Sequence, residues 1–495
     1  MGLSEKIMEL SRKVIILVSG RAFSFLLSLT IPLVLTRILA KEDYGSYQQL
    51  VMIYATVQAI LLFGMPQSLL YYFPRKDQSE HPLLIKQTWA ILFLSALSAI
   101  TIFWIGAEVM KTSLPNHHLR SFIFLLGIYI GLMLLVQPIQ NLLVLENKEI
   151  MATWSMIGFT IIDITILPVA AWYNPTTLGM VHGIVLTATI KLVMVLFYVY
   201  QNYLSQTIVG TPYYRDQLVY GIPVGLSAMI YVINVSIDKY MVGLFFSSSV
   251  FAIYYLGSLW PMIFGWVTQS AAQVVTPQLS KAHNDKNFVK MQSLYRDSVD
   301  KLIMIFLPAT VLLALIAKPL IVTLFTEKYE ASVPIFTIYL ALLPSYSLNL
   351  RWILMASGQT KFLLRLAILM SAINATLSYV FLTTLDGDNR LLGIPVATVA
   401  VTWLSTLVVM YKSITTLESS LAQTYHWKRI FTTFLLSVVS GIPAGALLFL
   451  ELPNLIFLIA AVTIYSIVFL YVSSKFKLWG DNEIKLIKSF LPFKS

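Results

Sequence analysis

Long apolar runs separated by short polar breaks dominate the chain. Each run approaches the roughly 20 residues a helix needs to cross the hydrocarbon core of a bilayer. Fourteen can be delimited, at 14–36, 44–65, 87–106, 121–144, 151–173, 178–201, 218–243, 250–276, 299–317, 331–356, 362–385, 391–412, 430–450 and 453–473. The pattern predicts an all-α polytopic membrane protein of about 14 transmembrane helices. The first run continues past the length of a signal-peptide core, so it is expected to be a retained span.

Composition agrees with this pattern. Of 495 residues, 58% are hydrophobic and 12% charged, and the mean hydropathy is +0.78, far from the balance of a soluble domain. Little chain is left for a water-soluble unit. With no Cys and six scattered His, disulfides, thiol catalysis and HExxH-type metal sites are not expected. No loop carries a Walker A sequence, a glycine-rich phosphate cradle or a Ser/His/Asp spacing, so the chain reads as a non-enzyme with no cofactor. The formal charge of +11 would suit nucleic acid, but its distribution argues otherwise. Segments on the side of the N-terminus carry about three times as many Lys and Arg as those on the other side, which places both termini in the cytoplasm and removes any need for a nucleic-acid partner.

Markers recur at an offset of about 210 residues, in the same order. Tyr47 and Tyr254 open predicted helices 2 and 8, Pro66 and Pro277 close them, Lys148 and Lys361 precede helices 5 and 11, and Gly179 and Gly393 open helices 6 and 12. The repeat divides the chain into two six-helix lobes related by pseudo-twofold symmetry, 1–210 and 211–415, with 416–495 holding helices 13 and 14 and a cytoplasmic amphipathic tail. Parallel repeats of this kind favour a transporter with a central site.

Polar residues form stripes at helical spacing on the first two helices of each lobe: Arg21, Ser24, Ser28 and Pro32 on helix 1, Tyr47, Tyr54 and Gln58 on helix 2, Ser227, Tyr231, Asn234 and Asp238 on helix 7, and Tyr255, Trp266, Gln269 and Gln273 on helix 8. An aqueous cavity walled by these helices would solvate all four stripes, whereas interhelical hydrogen bonds would satisfy each one separately. The candidate cavity set is Arg21, Ser24, Ser28, Tyr54, Gln58, Tyr231, Asn234, Trp266, Gln269 and Gln273. Arg21 offers a permanent charge and a planar fork suited to phosphate oxygens; snorkelling to the headgroups is the alternative. Asp163 and Lys191 sit at similar depths in consecutive helices, where they form either a structural ion pair or a proton relay. The two terminal segments, Met1–Lys13 and Asp481–Ser495, mix Lys with apolar residues and are expected to lie along the membrane surface.

The segment Ile31-Pro-Leu-Val-Leu-Thr-Arg37-Ile-Leu-Ala-Lys-Glu-Asp43-Tyr-Gly-Ser-Tyr47 resembles the polysaccharide exporters and Wzx-like flippases of the multidrug/oligosaccharidyl-lipid/polysaccharide (MOP) superfamily. Gly221-Ile-Pro223 and Ile237-Asp238-Lys239 extend the likeness along the chain. The resemblance implies two helical bundles around a cavity of alternating access in a bacterial cytoplasmic membrane. The implied cargo is an undecaprenyl-pyrophosphate-linked oligosaccharide for surface polysaccharide, and glycan polymerase machinery is an implied partner. Sodium, protons and the membrane potential are the candidate energy sources. Related lipid II flippases hold sodium with helices 7, 11 and 12, which here implies Asp238, Asn374 and Thr398, although Ser378 stands where a second carboxylate is expected. Two other functions compete, an ion-coupled multidrug exporter and a membrane glycosyl polymerase or ligase. Acidic cavity residues would favour the former, and a large outer loop the latter.

Overall fold

The computed structural model describes residues 16–478 apart from 18, 114–116, 207–209, 260 and 477. The two terminal segments expected on the membrane surface lie outside the described residues, as does the side chain of Trp266. Every described regular element is a helix. The membrane-length elements and their neighbours are α1 (Ser19–Ile38), α2 (Lys41–Leu61), α3 (Met65–Tyr72), α4 (His81–Ser113), α5 (His117–Val136), α6 (Glu149–Tyr173), α7 (Thr177–Val199), α8 (Tyr214–Phe245), α9 (Ser248–Gly257), α10 (Pro261–Asn284), α11 (Phe288–Leu315), α12 (Glu327–Leu348), α13 (Thr360–Thr384), α14 (Asn389–Thr416), α15 (Trp427–Ala446) and α16 (Asn454–Lys475).

Each of the fourteen predicted runs falls on helix. Among the described residues 12 helices are long and apolar enough to cross a membrane, and 13 spans result when the bent pair α2–α3 counts as one. The remaining run, 250–276, is not one continuous helix. It is interrupted after Gly257, and Pro261 opens the next helix, a position where its missing N–H costs nothing. Large apolar side chains such as Trp172, Leu244 and Phe449 are more than three-quarters exposed, as suits a multi-pass protein whose solvent is lipid.

The break between α2 and α3 has a local cause. Phe63 and Gly64 both have positive φ, 46° and 63°, and the chain turns by 42° there. This turn presses its backbone onto α8: a Cβ on Gly64 would lie 2.2 Å from the Gly221 carbonyl oxygen, and one on Gly221 would lie 2.4 Å from that of Phe63. Only hydrogen side chains permit such an approach. Gly45 likewise meets Ser248, where a Cβ would stand 1.8 Å from the carbonyl oxygen.

The chain forms two compact units, Met1–Ser236 with Phe245–Ala252, and Ile237–Leu244 with Ile253–Ser495. Most of α8 therefore belongs with the first unit, held by the glycine contacts above and by Gln217 Nε2, which donates to Thr88 Oγ1 at 2.8 Å. The core of this unit gathers Met65, Leu69, Leu84, Trp89, Leu142 and Val199, with α5 packed on both α4 and α7, and α6 on α7. Asp43, in the first turn of α2, accepts from the Thr177 backbone N–H at 2.7 Å and its hydroxyl at 2.8 Å, so a carboxylate caps α7 where the helix dipole favours negative charge. In the second unit α13 packs on α14, and α15 on both α11 and α16. The last two helices are bound in by Met304, Leu436, Phe457, Tyr465 and Phe469.

Candidate functional site

The middle of the α6–α7 hairpin in the first unit carries a charged pair. Lys191 Nζ lies 2.6 Å from each carboxylate oxygen of Asp163; the lysine side chain is 7% exposed and the aspartate 27%. Antiparallel helices joined by a short turn bring residues of equal depth side by side, which is why the sequence separation of 28 closes to an ion pair. Beside it opens a cavity of about 270 Å³ lined by Gln137, Gln140, Met156, Phe159, Thr160 and Lys191 among others. Gln140 Nε2 donates to Ser155 at 2.8 Å, while its Oε1 is buried and finds no partner among the described residues.

The helix 2 stripe joins this cluster. Tyr54 hydrogen-bonds Gln137, Gln58 and Tyr129, with its ring 4.6 Å from that of Tyr129. Gln58 and Tyr47 are buried. This face of α2 thus turns into its own unit, where the Tyr54 phenol meets amide and phenol groups, while Nε2 of Gln58 is buried and finds no partner among the described residues. The other stripes differ. Arg21, Tyr231, Gln269 and Gln273 are exposed, and Ser24, Ser28 and Asn234 are intermediate. Ser28 donates to the Phe25 carbonyl at 2.7 Å, the ordinary way a hydroxyl settles inside an apolar helix.

A second buried carboxylate lies in the second unit. Asp238, 4% exposed, accepts from the Tyr254 hydroxyl at 3.0 Å and from that of Tyr339, and the two hydroxyls are 2.6 Å apart. Lys239 Nζ stands 3.6 Å from the same oxygen. Tyr339 also reaches Thr398, and Asn374 Oδ1 receives the hydroxyls of Thr398 and Ser378, both at 3.4 Å. The structure therefore brings Asp238, Asn374 and Thr398 into one polar chain. Tyr254 and Tyr339, which link it, were not among the candidate residues. Tyr254 does recur in the repeat, but nothing in its spacing points to a carboxylate partner, and Tyr339 comes from 101 residues beyond Asp238.

These residues fit a sodium ion poorly. A hard cation needs several oxygens free to converge and net negative charge. Here Oδ2 of Asp238 is already taken by two phenols, Lys239 offsets the carboxylate charge, and the Asn374 oxygen is turned toward two hydroxyls. Among the described residues no three His, Asp or Glu side chains gather.

Two further charged clusters stand at helix ends. Glu146 accepts from Tyr203 at 2.5 Å and from Tyr198, and meets Lys148 Nζ at 2.6 Å. Burial would lower the Lys148 pKa, but Glu146 and Tyr198 hold it above its ordinary value. Asp300 accepts from His426 Nδ1 at 2.7 Å and Arg429 at 3.1 Å, tying the start of α15 to α11.

A model of a family described as polysaccharide biosynthesis protein matches residues 34–334. No curated protein sequence matches the chain significantly. Among solved structures, the chain is similar to the lipid II flippase MurJ in an inward closed conformation, at 16% identity and a TM-score of 0.71 over 93% of this chain and 99% of that one. It is also similar to an inward-facing multidrug resistance MATE family transporter of the MOP superfamily, at 13% identity and a TM-score of 0.65 over 80% and 94% of the two chains. A MOP superfamily transporter from Pyrococcus furiosus matches at 14% identity and a TM-score of 0.53 over 83% and 96%. At these identities the likeness establishes the fold alone, the one these transporters share.

Proposed function

The chain belongs to the polysaccharide biosynthesis protein family, and from that premise we propose that it is a flippase carrying an undecaprenyl-pyrophosphate-linked oligosaccharide across the bacterial cytoplasmic membrane by alternating access, with both termini in the cytoplasm. The observation that carries the reading is the kind of polar side chain left uncovered on apolar helices. Arg21 is exposed on α1, and Tyr231, Gln269 and Gln273 on α8 and α10; a charge or amide in such a setting is costly unless water or ligand meets it. A guanidinium fork pairs with pyrophosphate oxygens in two-pronged fashion, and Tyr, Gln and Asn suit sugar hydroxyls. None of these exposed groups is acidic, whereas a carrier of cationic drugs needs negative charge along its path. Its structural neighbours, a lipid II flippase and a multidrug transporter, support the class of activity.

The test is flipping of a pyrophosphate-linked oligosaccharide lipid in proteoliposomes, read by access of an external glycan-cleaving enzyme. Arg21→Ala should lower the rate at least tenfold with normal insertion, and Arg21→Lys should restore part of it, since lysine keeps the charge and loses the fork. An Arg21→Ala protein that flips at the normal rate, or a wild-type protein that moves only cationic drugs, overturns the proposal.

A further inference from the structure

Resemblance alone would assign sodium to Asp238, Asn374 and Thr398, and the geometry disagrees. Adjacent residues on a helix point about 100° apart and do not face each other. Lys239 nevertheless bends back to bring Nζ within 3.6 Å of Asp238 Oδ2, its own side chain being only 15% exposed. A lysine held in that posture on a helix of membrane length is answering the carboxylate. Two phenol hydroxyls complete the shell of the same oxygen, and the neighbouring amide oxygen is satisfied by Ser378 and Thr398. The charge of the cluster is thus closed from within the chain.

We propose that Lys239 is a tethered counter-cation for Asp238, so that this polar chain of the second unit binds no sodium. The ammonium fills the electrostatic role that a free cation would play. An ion arriving from solution would have to compete with that ammonium for the carboxylate charge, and at Oδ2 with both phenol protons. Because the charges cancel, the cost of burying Asp238 falls without any dissolved ion. The inference concerns the cluster alone and holds whatever the cargo is.

Thermal unfolding of the purified full-length protein in lipid nanodiscs tests it, in sodium, potassium or choline chloride at equal ionic strength. The wild type should melt at the same temperature in all three salts. Lys239→Met should melt several degrees lower in choline, Lys239→Arg should recover most of the loss, and Asp238→Asn with Lys239→Met should return near the wild type. A saturable, sodium-specific rise in the wild-type melting temperature that Asp238→Asn abolishes would overturn the proposal. So would a Lys239→Met protein as stable as the wild type in choline. The salt titration needs only the wild type, so it stands even where Lys239→Met fails to fold, and it fails or succeeds independently of any flipping assay.

Discussion

The α6–α7 hairpin of the first unit and the α13–α14 hairpin of the second solve the same packing problem differently. In the first, Asp163 and Lys191 meet across the hairpin at 2.6 Å. In the second, Asn374 on α13 takes the Thr398 hydroxyl from α14 at 3.4 Å, and the ion pair is moved to consecutive residues of α8, Asp238 and Lys239. A charged bridge between two helices locks them, since parting them in a low-dielectric medium strands both charges. A weak amide–hydroxyl contact lets the hairpin shift at little cost, while an ion pair within one helix travels with that helix. The comparison teaches that buried charge is used to staple the hairpin in one unit and kept off it in the other.

Removing the staple should have the largest effect. Asp163→Asn leaves the buried Lys191 stranded and should cost about 3 kcal/mol, while Lys191→Met leaves the part-exposed Asp163 unpaired and should cost somewhat less, both seen as loss of monodisperse protein on size exclusion after heating. The double change Asp163→Asn with Lys191→Gln leaves two neutral amides able to hydrogen-bond and should recover most of the folded yield and of export. A well-inserted double variant that cannot transport would make the pair a proton relay rather than a staple.

A smaller effect is expected where Asp43 secures the start of α7. Asp43→Ala strips the cap from the Thr177 N–H and hydroxyl, and should lower stability by about 1 to 2 kcal/mol, with Asp43→Asn losing less. If Asp43→Ala is as damaging as Lys191→Met, the bridge is not the principal lock of that hairpin.

The smallest change should come from the neutral hairpin. Asn374→Leu leaves the Ser378 hydroxyl without its acceptor, while Thr398 keeps the Ile394 carbonyl at 3.2 Å, so a cost of about 1 kcal/mol is expected. Equal destabilisation by Asn374→Leu and Asp163→Asn, measured side by side by thermal unfolding, would erase the distinction between the two hairpins.

Much of the fold was legible in the chain because lipid imposes a simple rule: every backbone polar group must be satisfied locally, so apolar runs of sufficient length become helices. The Asp163–Lys191 pair was legible for a related reason, as charges of equal depth on neighbouring antiparallel helices have few other partners. The helix 2 stripe was misleading as to surroundings. Its spacing marks one face of α2, but spacing is blind to whether water or a neighbouring helix covers that face, and Tyr54 and Gln58 meet Tyr129 and Gln137 of their own unit.

By itself, then, the sequence determined the class of protein, the places where helices run and the charge that has to be paired, because these follow from hydropathy, periodicity and the cost of an ion in hydrocarbon. Only the tertiary structure decided the break at Gly257, the backbone contact of Gly64 with Gly221, the enrolment of most of α8 in the first unit and the two tyrosines on Asp238. Each of these depends on which surfaces meet across long stretches of chain. Apolar helices are nearly interchangeable in their affinity for lipid, so what selects their neighbours is the close fit of small residues and the pairing of a few polar atoms, details that no one-dimensional pattern contains.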